Sequence, residues 1–202
     1  MQMKQTEEKI LNIMKENNGI LKTSMLKFYN ISSKNVQKMA KNDEIERIEK
    51  GLYLHPDFLK DEYYILSYRV PKGVFSHESS LYLHKLSDEN PAFFTLTIPS
   101  GWNSPLLKDK ENYTFFYLKK ELWELGQEKI KTPYGNEVVV YSKERTLAEM
   151  ISKMDRMDRN LVLHALRIGL KDNLLDRALL LHYAEHFKSR DRMRTYLEVI
   201  TE

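Results

Sequence analysis

This chain contains no cysteine, so no disulfide, thiolate metal ligand or thiol nucleophile enters any account of it. Glycine is scarce, with seven residues scattered between Gly19 and Gly169. That scatter leaves no loop able to cradle a nucleotide phosphate in the P-loop or dinucleotide manner, and no cofactor is expected. Long apolar runs are missing too. Nothing approaches the roughly 18 consecutive apolar residues of a membrane span, and MQMKQTEEKI lacks the apolar core of a secretory signal. The expected compartment is therefore cytoplasmic, with no membrane partner. Finally, there is little net charge. At +3 the total says nothing about partners, and only the distribution of charge can.

What remains is ordinary globular material: 202 residues, 42% hydrophobic and 30% charged, enough for one large domain or two small ones. The charge is unevenly placed. Between Ile20 and Asn42 stand Lys22, Lys27, Lys34, Lys38 and Lys41 without a single carboxylate, and the acids return only at Asp43, Glu44, Glu46 and Glu49. One short segment can thus form a basic face.

The periodicity of that region predicts three helices and a hairpin. Thr6 can cap a first helix with Ile10, Leu11, Ile13 and Met14 inward, ended by Asn17, Asn18 and Gly19. Ile20 and Leu21 read as a short strand. Thr23 or Ser24 can then cap a second helix carrying Met25, Leu26, Phe28 and Tyr29, and Ser32 or Ser33 a third. In this third helix Val36, Met39 and Ala40 form the inward stripe, while Lys34, Asn35, Gln37, Lys38 and Lys41 fall mostly outside it. Arg47-Ile48 and Leu52-Tyr53-Leu54 then read as strands joined by a tight turn at Glu49-Lys50-Gly51, with Gly51 available for a positive φ.

Three helices plus a hairpin make a winged helix-turn-helix over residues 1–56. In such a unit the third helix enters the major groove, where Asn35 and Gln37 suit adenine and the lysines suit guanine or phosphate. Arg47 and Lys50 on the wing would meet phosphates or the minor groove. Winged helices also serve as protein-interaction modules, and lysines on a helix are most often a solvated face.

Pro56 is the expected domain boundary, with residues 57–202 forming a mixed α/β domain that ends in a helical cluster. A helix from Phe58 to Tyr68 and another capped by Ser76 are expected, then strands at 93–98 and 113–118 and a hairpin at 130–132 and 138–141. From Ser142 onward the apolar period is helical: Leu147, Met150, Ile151 and Met154, then Leu161, Ala165 and Ile168, then Leu174 to Phe187, then Met193, Tyr196, Leu197 and Ile200. The expected class is α+β.

Three segments, RIEKGLYLHPD, GVFSHESSLYLHKLSDENPAFFTLTIPSG and TPYGNEVVVYSKERTLAEMI, resemble the AbiEi antitoxins of type IV, abortive-infection toxin-antitoxin systems. The most specific pieces are Ser76-His77-Glu78-Ser79 with His84, Leu86 and Pro91, and the run from Val140 to Thr146. Glu149 stands where an aspartate would be expected after Glu-Arg-Thr. The resemblance implies a non-enzymatic antitoxin that represses its own operon by binding double-stranded promoter DNA. Its C-terminal domain would counter a nucleotidyltransferase-like toxin. The alternative is a transcriptional regulator whose second domain binds an unrelated ligand or protein.

Other chemistry is weakly signalled. His182 and His186 have the spacing of a metal pair, but Tyr183 occupies the position where a zincin has glutamate. Ser76, His77 and Glu78 have triad residue types, yet sequence neighbours point apart, and helix capping by Ser76 accounts for them better. Glu128 and Lys131 beside a strand invite a nuclease reading without a matching acid. Met150 to Met157 could line a partner groove, though core packing is the plainer role. Asp155, Arg156, Asp158 and Arg159 read as a solvated junction. No catalytic or metal residue is assigned.

Overall fold

Ile10, Ile13 and Met14 recur on one side of a helix, α1 (Gln2–Glu16), and that side is buried. The structure is a computed structural model that describes residues 2–103 and 105–201. It is an α+β chain dividing into two units, one holding the residues up to Tyr68 together with Lys131–Glu137, the other Arg69–Ile130 and the residues from Val138 onward. No helix among the described residues is long and apolar enough to cross a membrane.

In the first unit α1 starts before Thr6, so that residue lies within the helix and does not cap it. Asn18 and Gly19, both at positive φ, end α1, and β1 (Ile20–Lys22) follows. The expected second helix is a 3₁₀ segment, Thr23–Tyr29. Leu26 is its one buried side chain, so it lacks the apolar stripe that tertiary packing would need to sustain a longer α-helix, and Asn30 in the left-handed region stops it. Next come α2 (Ser33–Lys41), β2 (Glu46–Glu49) and β3 (Leu52–Leu54), and the three strands form an antiparallel sheet in the order β1-β3-β2. Leu21, Leu26, Val36, Met39, Ile45 and Tyr53 complete the core begun by α1.

This unit does not end at Pro56. Ile65 of α3 (Glu62–Arg69) is buried with Ile20, Leu52 and Leu54, and Phe58, Tyr64 and Tyr68 pack around them, so the division falls after Tyr68. Phe58 itself precedes α3 and lies against Gly19, where a Cβ would come within 2.3 Å of its ring. Buried Asp61 holds the unit's distant segment. Its Oδ2 accepts from Thr132 Oγ1 at 2.6 Å and Asn136 Nδ2 at 2.8 Å, and its Oδ1 accepts from the Tyr64 amide at 3.1 Å.

The second unit contains β4 (Val74–Phe75), α4 (His77–Leu83), β5 (Phe94–Pro99), β6 (Tyr113–Leu118), α5 (Lys120–Glu124), β7 (Gln127–Lys131) and β8 (Glu137–Tyr141). The strand order is β6-β5-β4-β8-β7, and the sheet is mixed: β4 runs antiparallel to β5 and parallel to β8, while β5 and β6 are parallel. Four helices close it, α6 (Lys143–Ser152), α7 (Arg159–Lys171), α8 (Arg177–His186) and α9 (Arg190–Thr201). Ser142, Asp158 and Asp176 cap α6, α7 and α8 by accepting from first-turn amides. Met150 and Met154 lie in the helical core with Leu147, Leu166, Leu180 and Met193, which gives them a packing role.

Candidate nucleic-acid interface

Ser32 caps α2 by accepting from the Lys34 amide at 3.3 Å, which fixes where the helix begins and so the phase of its faces. Val36 and Met39 are buried, at 0% and 1% exposure. At 100° per residue, Lys34, Gln37, Lys38 and Lys41 fall at i, i+3, i+4 and i+7 on the opposite side, and all four are exposed. Asn35 is half-buried and sits off this row. Lys38 Nζ also lies 3.9 Å from Glu7 of α1, a half-exposed contact worth little in water. The face is thus three ammonium groups and one carboxamide, every one a hydrogen-bond donor.

Arg47 and Lys50 stand on the hairpin, both exposed. The pairing of β2 with β3 shifts between Arg47 and Glu49, and Arg47 Nε donates to the Glu49 carbonyl at 3.5 Å. The turn is fixed from outside. Gly51 has φ +84, the Thr23 amide donates to its carbonyl at 2.9 Å, and Tyr68 Oη donates to the Lys50 carbonyl at 3.0 Å. A side chain at Gly51 would bring its Cβ to 2.9 Å from Thr23 Oγ1, so both conformation and space require glycine. Among the acids of this region, Glu46 is paired with Lys60 at 2.7 Å, and Glu44 accepts from Asn42 at 3.0 Å. Lys60 lies beyond the expected boundary, so its compensation of Glu46 was not visible in the segment read as the wing.

No family model and no curated protein matches this chain. In the second unit the polar residues of the segments 73–101 and 138–151 form an internal frame. Ser79 Oγ accepts from the Thr95 amide at 2.8 Å. Ser80 Oγ donates to the Tyr141 carbonyl at 3.1 Å and lies 2.8 Å from Thr146 Oγ1. Ser76 occupies the cap position of α4 but does not cap it, because its hydroxyl lies 3.0 Å from His77 Nδ1 instead.

Sequence reasoning missed the charged centre of this unit, although Arg145, Glu149 and Lys153 carry the i, i+4 spacing that signals it. Arg145 is fully buried and pairs with Glu149, which also accepts from Lys153 Nζ at 2.6 Å. The Arg145 guanidinium lies 3.4 Å from the centre of the Tyr141 ring. Burial opposes ionisation of Glu149, but the cationic forms of His77, Arg145 and Lys153 outweigh it and hold the carboxyl down to about 2. His77 itself has φ +46, uncommon for a residue with a Cβ, and stacks on Phe116 at 3.8 Å. Burial lowers its pKa to about 4, so at neutral pH its 3.8 Å approach to Glu149 is not an ion pair, and Arg145 and Lys153 carry the compensation. Glu78 does not join Ser76 and His77; its Oε2 accepts from Thr95 Oγ1 at 3.1 Å.

Glu128 lies 3.5 Å from His84 Nε2, which also meets the Tyr141 carbonyl at 2.8 Å. His182 and His186 are exposed with ring centres 5.0 Å apart. Among the described residues no three His, Asp or Glu side chains gather where they could hold a metal ion.

Proposed function

We propose that the first unit is a winged helix that binds double-stranded promoter DNA, with α2 in the major groove and the β2–β3 hairpin as the wing. The chain is then an AbiEi-type antitoxin that represses its own operon and counters a nucleotidyltransferase-like toxin through its second unit. The observation carrying the DNA reading is the row Lys34, Gln37, Lys38 and Lys41, all exposed and opposite buried Val36 and Met39. A helix inserted in a groove needs donors on the outward face and an apolar anchor on the other. Arg47 on β2 and Lys50 on the turn held by Thr23 and Tyr68 add two cations.

The test is the salt dependence of binding to the upstream promoter. Replacing Lys34, Lys38 and Lys41 by alanine should weaken binding and reduce the slope of log K against log salt by about 0.9 for each phosphate left without its lysine. An unchanged slope removes α2 from the interface. The toxin part rests on the AbiEi resemblance and is tested by co-expression with a neighbouring nucleotidyltransferase gene product. Growth arrest that the intact chain does not relieve would refute it.

A further inference from the structure

Between the 87–93 loop and the start of α7, the second unit carries an open groove of about 520 Å³, within the size range of ligand-binding clefts. Its floor is apolar, formed by Phe93, Phe116, Met157 and Leu161. Phe93 keeps 48% of its surface in water. Phe116 is fixed in place by the stacked His77 ring and by Lys153 Nζ 4.8 Å from its centre, which opposes collapse of the floor. The rim has the opposite character: Glu78, Glu89 and Asp158 face a single Arg156. Glu78 accepts from the Thr95 hydroxyl, and Asp158 from the amides of Asn160 and Leu161 at the start of α7, where the helix dipole favours its charge; Arg156 is the one cation among the residues lining this groove. A second depression of about 590 Å³ shares Ser87, Glu89, Asp158 and Leu161 with the first and adds Asp88, His164 and Arg167, so that across the two four carboxylates stand against two arginines. This negative rim lies on a chain whose net charge is +3.

We propose that this groove docks a segment of a partner protein in which a lysine or arginine stands beside a large apolar side chain. The apolar group lies on Phe93 and Leu161, and the cation meets Glu89 and Asp158. An acidic segment would meet three carboxylates, and a purely apolar one would leave them desolvated without compensation. The site is independent of the DNA-binding reading, since all of these residues belong to the second unit.

The test uses the full-length ¹⁵N-labelled chain with three blocked peptides as probes, acetyl-Phe-Arg-Leu-amide, acetyl-Phe-Glu-Leu-amide and acetyl-Gly-Arg-Gly-amide. Only the first should shift resonances confined to residues 87–93, 116 and 156–161. Glu89→Gln with Asp158→Asn should weaken it about fivefold, as expected for two exposed charge pairs. Arg156→Gln should tighten it. All three positions are exposed, and asparagine keeps the cap of α7, so the variants retain the fold. The proposal is overturned if the first peptide gives no localised shifts, if the glutamate peptide binds as well, or if the substitutions leave affinity unchanged. Self-association through Phe93 that the first peptide fails to displace would overturn it too, by making a second copy the occupant.

Discussion

Replacing Glu149 by glutamine should destabilise the second unit by about 3 to 5 kcal/mol, the usual cost of removing one partner of a buried ion pair. Glutamine fills the same volume, so the loss is one of charge. Arg145 stays fully buried, and its other acceptors are the Leu125 carbonyl at 3.2 Å and the Leu122 carbonyl at 3.4 Å, which cannot cancel a full positive charge. Against a typical total of about 5 to 15 kcal/mol, that loss is large. The Glu149 carboxyl is held below its ordinary 4.5, to about 2, by the cationic neighbours His77, Arg145 and Lys153. Because the folded pKa lies below the unfolded one, this stabilisation is fully present above pH 4.5 and is lost as pH falls towards 2. His77 acts earlier. Burial lowers its pKa from 6.5 to about 4, so the unfolded chain takes up the proton first and stability declines between pH 6.5 and 4. Urea unfolding followed by circular dichroism from pH 7 to pH 2.5 should show both stages in the native chain. The Glu149→Gln variant should start lower and keep only the upper stage. A variant within about 0.5 kcal/mol of the native chain at pH 7, the scatter expected of an unimportant surface change, would refute the reasoning. So would an undiminished decline below pH 4.5.

Gln37→Ala should change which bases are preferred, by about 1 to 3 kcal/mol if the carboxamide reads a base edge, whereas Arg47→Ala and Lys50→Ala should weaken all sequences alike; selection against a randomised duplex pool separates the two patterns. Gly51→Val should lower the thermal midpoint of the first unit and weaken DNA binding more than either wing substitution, because it combines a disfavoured φ with a 2.9 Å clash; native affinity would contradict this. Asp61→Ala should cost about 3 kcal/mol in chemical denaturation by leaving Thr132, Asn136 and the first turn of α3 without their acceptor. A fragment of residues 1–56 should be largely unfolded by circular dichroism, since it lacks Ile65, Tyr68 and Asp61; a cooperative unfolding transition in that fragment would show the short unit to be sufficient.

Much of the fold was legible because its signals are local. The apolar stripes of α1 and α2, the positive-φ glycine of the β2–β3 turn, the aromatic and β-branched strands and the capped helices after Ser142 each depend on residues a few positions apart, and each is where the spacing puts it. The exposed row on α2 follows from the same 3.6-residue period, and Asn35, one residue of rotation off that row, is half-buried. The features that the sequence could not disclose join distant positions. Asp61 takes its partners from residues 132 and 136, Gly51 owes its surroundings to Thr23 and Tyr68, and Glu46 pairs with Lys60. The 3₁₀ form of Thr23–Tyr29 depended on how little of it the core would cover. By spacing alone Arg145, Glu149 and Lys153 cannot be told from a solvated i, i+4 ladder, yet the first two are buried. Periodicity tells which face turns inward, but the cost of a buried charge depends on what closes over it, and only the tertiary structure brings that cover into place.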